Sequence, residues 1–208
     1  GTAEPPQDCA RGHYCPAGTK YSSQYDCPPG KYTNRTDLTA STECDVCPEG
    51  YYCEGGDIDP RDTTFEDYIA RECAPGYYCP AGSSSMFQMP CPAGTYNSLN
   101  AAFHLDNCTD CPLGSYCPEG SADPIPCVAG SYANVTNTAG PGILGSMAER
   151  YTVDENIVNC ELCPQGFECP TNTGQPDPCP AGTYSDDGYA ACLDCQAGHY
   201  CVGTTGHD

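Results

Sequence analysis

The residues best placed to do chemistry are four Cys-x-x-Cys pairs: Cys44/Cys47, Cys108/Cys111, Cys160/Cys163 and Cys192/Cys195. Two thiolates at this spacing can ligate zinc or cycle between dithiol and disulfide. Here each pair stands at a junction between repeats, and every member has a repeat-defined partner elsewhere. Structural bridges are therefore the expected fate of all these cysteines.

Other candidates are weaker. Three triplets have the form that accepts N-linked glycans: Asn34-Arg35-Thr36, Asn107-Cys108-Thr109 and Asn134-Val135-Thr136. Asn34 and Asn134 occupy the same place, two residues beyond a repeated Tyr and at the start of a loop, so both should be accessible. Asn107 precedes a bridged cysteine. The acidic run Asp57, Asp59, Asp62, Glu66 and Asp67 offers the oxygens calcium takes. Its spacing matches no calcium loop and Arg61 sits within it. The run therefore reads first as a solvated acidic face, with weak calcium binding as the alternative. His13, His104, His199 and His207 form no pair at ligand spacing, and His13 and His199 fill a variable slot that reads as surface. No Ser/His/Asp grouping, phosphate loop or isolated carboxylate dyad stands out, so no catalysis and no cofactor are expected.

The element that positions the cysteines is a short phrase: Cys, two residues, Gly, one residue, aromatic. It recurs ten times, opening at Cys9, Cys27, Cys47, Cys73, Cys91, Cys111, Cys127, Cys163, Cys179 and Cys195. Nine copies end in Tyr: Tyr14, Tyr32, Tyr52, Tyr78, Tyr96, Tyr116, Tyr132, Tyr184 and Tyr200. The Cys163 phrase instead has Glu168 there, with Phe167 one place earlier. Repetition of this kind decides architecture before local propensity does. Gly supplies backbone freedom for a tight turn. Pro after the Cys fixes one backbone angle. Tyr is stiff and amphipathic, able to lie over a disulfide with its hydroxyl in water.

The other ten cysteines alternate strictly with the openers. The simplest pairing joins each opener to the next cysteine: Cys9–Cys15, Cys27–Cys44, Cys47–Cys53, Cys73–Cys79, Cys91–Cys108, Cys111–Cys117, Cys127–Cys160, Cys163–Cys169, Cys179–Cys192 and Cys195–Cys201. Alternation also admits interleaved pairing within a module. The couplets Cys47/Cys53 and Cys195/Cys201 stand apart from the full units, and each closes most easily on itself.

Composition points the same way. Leu, Ile, Val and Phe together number 22 of 208 residues, and the formal charge is -21. So few core formers with so much charge would leave an ordinary chain disordered. Twenty cysteines place it instead with disulfide scaffolds, in an oxidising compartment. No apolar run reaches the roughly 20 residues that cross a bilayer. There is no signal peptide and the first residue is Gly1, so the chain reads as a mature or excised segment of a secreted or surface-exposed protein. Seven basic residues argue against a nucleic-acid partner.

The fold expected is small and disulfide-rich. It is an elongated tandem array of cysteine-rich modules, with short two-stranded β pieces, little helix and no large hydrophobic core. The segments are module 1 at 1–46, a half module with an insertion at 47–72 and module 2 at 73–110. Module 3 at 111–162 carries a long loop, 133–159. Module 4 spans 163–194, and a further module begins at 195–208. A short helix is expected within 59–72, where Thr63 and Glu66 could form a capping box and Phe65, Tyr68 and Ile69 share a face. A second is expected over 146–157, and Gly140-Pro141-Gly142 should be loop. Gly198-His199-Tyr200-Cys201 repeats Gly12-His13-Tyr14-Cys15. A modular array cut at an arbitrary point would read so, as would a subunit whose end meets the start of the next copy.

At Cys91-Pro92-Ala93-Gly94-Thr95-Tyr96 and Asn107-Cys108-Thr109-Asp110-Cys111-Pro112-Leu113-Gly114, the chain resembles the ephrin-receptor-like cysteine-rich repeat family. That family is itself similar to the cysteine-rich modules of tumour-necrosis-factor receptors. The resemblance covers nearly the whole chain. It implies that a phrase opener bonds a closing cysteine, as in Cys91–Cys108 and Cys179–Cys192. Couplets such as Cys73–Cys79 depart from the simplest family pattern. The resemblance further implies an extracellular, non-catalytic role in surface and adhesion proteins.

The function expected is that of a secreted structural glycoprotein: a stiff, disulfide-stapled subunit or segment of an extracellular filament, appendage or wall. Self-association into a polymer or array and N-linked glycans are its expected partners. The alternative is a ligand-binding ectodomain of a cell-surface receptor or adhesin, with recognition concentrated in the 133–159 excursion.

Overall fold

The computed structural model describes residues 7–61, 71–134, 136, 138, 160–170 and 175–203. It is a small disulfide-rich array of repeated turns and hairpins. Its residues group into two compact units, Gly1–Pro90 with Asn97–Asn107, and Cys91–Tyr96 with Cys108–Asp208. Both are built from the same step.

Each step begins with a turn. In all ten phrases the residue after the Gly donates its N–H to the carbonyl of the residue after the opening Cys, as in Lys31 to Pro28 (3.0 Å) and Thr95 to Pro92 (3.0 Å). The Gly is the third residue of this four-residue turn, and its φ is positive every time, from 76° at Gly114 to 90° at Gly182. A type II turn requires that conformation at its third position, and an L side chain resists it. This is the physical reason the phrase is spelled with Gly.

Each of the first nine turns leads into a strand or single bridge that pairs, antiparallel, with the residues just before the next opener. In the first unit β1 (Lys31–Tyr32) pairs with β2 (Asp45–Val46), and β3 (Tyr77–Tyr78) with β4 (Met89–Pro90). Single bridges, His13 with Asp26 and Tyr51 with Glu72, make the same connection. In the second unit β5 (Thr95–Tyr96) pairs with β6 (Thr109–Asp110), β7 (Ser115–Tyr116) with β8 (Ile125–Pro126), and β9 (Ser131–Tyr132) with β10 (Glu161–Leu162). β11 (Phe167–Glu168) pairs with β12 (Asp177–Pro178), and β13 (Thr183–Tyr184) with β14 (Leu193–Asp194). Isolated two-stranded hairpins are marginal in water, so other contacts must hold these in place.

Those contacts form a backbone ladder from phrase to phrase. The Gly N–H of each phrase donates to the carbonyl one residue beyond the aromatic position of the next phrase. In the first unit the pairs are Gly12 to Thr33, Gly30 to Cys53, Gly50 to Cys79 and Gly76 to Asn97. In the second they are Gly94 to Cys117, Gly114 to Ala133, Gly130 to Cys169, Gly166 to Ser185 and Gly182 to Cys201. At most of these junctions the next opener donates in return to the Gly carbonyl, as in Cys27 to Gly12 and Cys195 to Gly182, both 2.9 Å. A third contact reaches further. A left-handed residue in the tail of the following phrase donates back to the opener's carbonyl: Gly56 to Cys27, Gly82 to Cys47, Ala101 to Cys73, Gly120 to Cys91 and Gly188 to Cys163.

Ten disulfides close the array, each joining an opener to the next cysteine in the chain. Six span 6 residues; the others span 17, 17, 33 and 13. The buried apolar set among the described residues is fifteen half-cystines with Leu38, Tyr52, Ala102 and Ala133. Sulfur therefore fills the space an aliphatic core would take elsewhere, and chain closure supplies stability that area burial cannot. The tyrosines cover this sulfur across a phrase boundary. Tyr14 packs on Cys27–Cys44 and Leu38, and Tyr116 packs on Cys127–Cys160 and Ala133.

Two 3-10 turns, Ser41–Glu43 and Leu105–Asn107, each end beside a closing cysteine. Of the helix expected within 59–72, residues 62–70 lie outside the described residues, including Thr63, Phe65, Glu66, Tyr68 and Ile69. The described ends hold a turn at Pro60 and Arg61 and the bridge residue Glu72. The helix expected over 146–157 and the loop at Gly140-Pro141-Gly142 lie wholly outside.

Candidate functional site

The four Cys-x-x-Cys pairs are built into the hairpins. The two residues between the cysteines are the returning strand in each case: β2, β6, β10 and β14. The first cysteine closes the phrase behind it, and the second opens the phrase ahead. Cys44 bonds Cys27 while Cys47 bonds Cys53; Cys108 bonds Cys91 while Cys111 bonds Cys117. Cys160 bonds Cys127 while Cys163 bonds Cys169, and Cys192 bonds Cys179 while Cys195 bonds Cys201. No cysteine is free. With every thiol oxidised, none of these pairs presents the thiolates that zinc ligation needs.

Asn34 and Asn134 are exposed, each one residue beyond a ladder acceptor, Thr33 and Ala133. Asn34 Oδ1 accepts the N–H of Asp59 at 3.0 Å. That bond uses the oxygen and leaves the amide nitrogen, the atom a glycan joins, outside the contact. Asn107 is half-buried. Its Oδ1 accepts the N–H groups of Phe103 (3.1 Å) and His104 (3.0 Å), closing the 3-10 turn beside Cys108.

The insertion between Cys53 and Cys73 carries the densest charge. Asp57 is buried, with its side chain 3% exposed. Its carboxylate accepts the Gly55 N–H at 3.0 Å and meets Arg71 Nε at 2.9 Å. Its own carbonyl accepts Thr33 N–H at 3.0 Å. Arg71 also pairs with Glu54 and stands 5.6 Å over the Tyr52 ring. Arg71 N–H donates to Pro60 O at 3.1 Å, pinching the base of the insertion. Asp59 holds Arg61 by two side-chain bonds, 2.9 and 2.8 Å. Burial raises the Asp57 carboxyl above the ordinary aspartate range, against the pull of the Gly55 amide and Arg71. Hydrogen bonding from Arg61 lowers that of Asp59 and raises the guanidinium in return.

Asp57 thus departs from the solvated acidic face expected of this run. The parallel bridge between Tyr32 and Asp57 carries it inside, and an arginine compensates its charge. Among the described residues no three His, Cys, Asp or Glu side chains are grouped as metal ligands. Asp62, Glu66 and Asp67 lie outside the described residues. His13 also departs from the expected surface position. Its side chain is 17% exposed, with Nδ1 2.8 Å from Asp26 Oδ1. That contact is a hydrogen bond when Nδ1 carries the hydrogen. It ties the first phrase to the residue before the second opener. His199 is exposed, His104 Nδ1 lies 3.2 Å from an Asp106 carboxylate oxygen at the surface, and His207 lies outside the described residues.

One recurring position carries no chemistry but orders the ladder. The residue after the phrase aromatic is a half-cystine wherever the disulfide is short. Elsewhere it is Thr33, Asn97, Ala133 or Ser185, each buried to 2% or less. Polar members satisfy themselves locally: Ser185 Oγ donates to Phe167 O at 2.7 Å, and Asn97 bonds Leu99 through both amide atoms. The signal in the sequence is a small residue standing where the couplet phrases have Cys.

Among the described residues, no helix is long and apolar enough to cross a membrane. Twenty bonded cysteines fit an oxidising, extracellular setting. Neither models of known protein families nor curated protein sequences match the chain.

Proposed function

We propose that this chain is a structural glycoprotein, a disulfide-stapled subunit of an extracellular filament, appendage or wall. The observation that carries the reading is the ladder. At nine successive junctions the same Gly N–H reaches the same position of the next phrase, and every phrase is closed by its own disulfide. Such a device transmits load along a chain of small units that bury little individually. A recognition module, in contrast, concentrates its sequence variation where it meets a ligand. Exposed Asn34 and Asn134 suit glycans that keep an extracellular surface solvated.

Electron microscopy of the native material tests this. Ordered arrays of the chain, end to end or side by side, support it. Dispersed monomers that bind a purified partner protein would replace it with the receptor or adhesin reading.

A further inference from the structure

The longest stretch of the chain without Asp, Glu, Lys or Arg runs from Cys73 to Leu105. The chain as a whole holds 28 acidic and 7 basic residues. The same stretch carries five of the fifteen exposed large hydrophobic side chains among the described residues: Phe87, Met89, Leu99, Phe103 and Leu105. Single exposed apolar residues are ordinary on a protein surface. A concentration of them where charge is missing marks a contact surface.

All five belong to the first compact unit, and the ladder brings their backbones together. Gly76 N–H donates to Asn97 O at 2.7 Å, and Asn97 Nδ2 donates to Tyr77 O at 3.4 Å and Leu99 O at 3.0 Å. Phe87 stands edge-on to the Tyr77 ring, with centroids 5.0 Å apart. Met89 lies on the strand that pairs with Tyr77–Tyr78. One step along, Cys79 N–H donates to the carbonyl of Ala102, the neighbour of Phe103, at 2.9 Å. Bonded backbone presents these side chains. Phe87 N–H donates to Ser85 Oγ at 3.2 Å, Leu99 N–H to Asn97 Oδ1 at 3.1 Å, and Phe103 N–H to Asn107 Oδ1 at 3.1 Å. A surface ordered beforehand loses less freedom on binding.

We propose that this uncharged face, built on Phe87 and Leu99, binds the same face of a second copy. Charge selects the occupant. Two molecules of charge -21 repel wherever their acidic surfaces meet. Here their approach brings the fewest like charges together, with Asp106 only at the border. A basic partner would be drawn to the acidic surface instead. An apolar patch without charge complements itself, which is what a two-fold contact requires. This proposal rests on the scaffold reading and names one contact between its subunits.

The test is sedimentation velocity of the 208-residue chain over a concentration series, at low and at high sodium chloride. The wild type should associate, and more strongly at high salt, because screening removes the repulsion and leaves the apolar contact. Leu99→Asp alters the most exposed of the five side chains, at 68%. Its melting should match wild type while its association weakens at least about tenfold. Phe87→Asp should weaken association likewise. Ile125→Asp is the control. Ile125 faces Tyr116 across its hairpin as Met89 faces Tyr78, at 41% and 42% exposure, but Asp123 stands two residues away. That variant should associate as wild type does. Association that both patch variants leave unchanged overturns the contact and leaves a scaffold built through other faces standing. A wild type that stays monomeric at every concentration and salt overturns the contact; the scaffold reading falls with it only if native material also shows dispersed monomers. Wild-type monomers that bind zwitterionic lipid vesicles through Phe87 and Leu99 would give the face to a membrane surface and overturn the second copy.

Discussion

The backbone of Gly50 lies directly under the carbonyl of Ala101: a β-carbon on Gly50 would stand 2.5 Å from that oxygen. Ala101 occupies the place that Gly56, Gly82 and Gly188 hold against other phrase glycines, and its φ is +57°. It is the one non-glycine with positive φ among the described residues. An L residue held left-handed costs about 1 kcal/mol. Ala101→Gly should therefore raise stability by up to that amount, offset in part by the greater freedom of Gly in the unfolded chain. Gly50→Ala adds both the strain and the clash, and should cost more than about 2 kcal/mol. Guanidinium unfolding with disulfides intact measures both, and a stabilised Gly50→Ala would refute the close approach.

The long and short bridges should not be worth the same. Cys127–Cys160 closes 33 residues and supports Tyr116 and Ala133, whereas Cys163–Cys169 closes 6. Chain-entropy arithmetic gives about 3.7 kcal/mol for the first and about 2.2 for the second. Replacing both cysteines of each pair by Ser should reproduce that order in the denaturant midpoint. The long-bridge variant should also loosen the packing of Tyr116 and Ala133 over the bridge, read as faster amide exchange there. Equal losses from the two variants would mean that packing around sulfur, more than closure, sets the stability.

Glycan occupancy follows from exposure. Secreted from a eukaryotic host, the chain should carry N-linked glycans at Asn34 and Asn134, which Thr36→Ala and Thr136→Ala remove one at a time. Asn107 should be modified only before Cys91–Cys108 closes, because its amide is half-buried beside Cys108. Intact mass before and after glycosidase treatment reads the count. Full occupancy at Asn107 with empty Asn34 would contradict the accessibility argument.

The fold was readable because its rules are local. Cys, Gly and Tyr at fixed offsets spell a closed turn, and a type II turn leaves Gly no substitute. The alternation of openers with closers left sequential pairing the simplest choice. The ladder was not readable, since its donor and acceptor are backbone groups that any residue supplies; only the small residues Thr33, Asn97, Ala133 and Ser185 mark it. The acidic run misled for a related reason. Nothing local in Asp57 tells whether its neighbour is water or Arg71, which lies fourteen positions on. The His13 slot misled likewise, because its partner Asp26 is the return of the same hairpin, thirteen positions on.

The base of the insertion should respond to pH in two opposite senses. Arg61 lowers the Asp59 carboxyl below the ordinary aspartate value of 3.8. A lowered group contributes stability that is present above the ordinary value and lost as pH falls through its folded value. Asp59→Asn should therefore be less stable than wild type near neutrality, and the gap should close in acid. Burial raises Asp57 above 3.8, so the fold favours its protonated form. That contribution is complete below the ordinary value and disappears as pH rises through the folded one. Asp57→Asn, which mimics the protonated group, should gain on wild type as pH rises. Melting of the three proteins between about pH 2 and pH 7 compares the slopes directly. Amide exchange at Tyr52 and Arg71, whose N–H groups close the insertion's base, localises the effect. Slopes of the same sign for the two variants would show that Asp57 is not desolvated in solution.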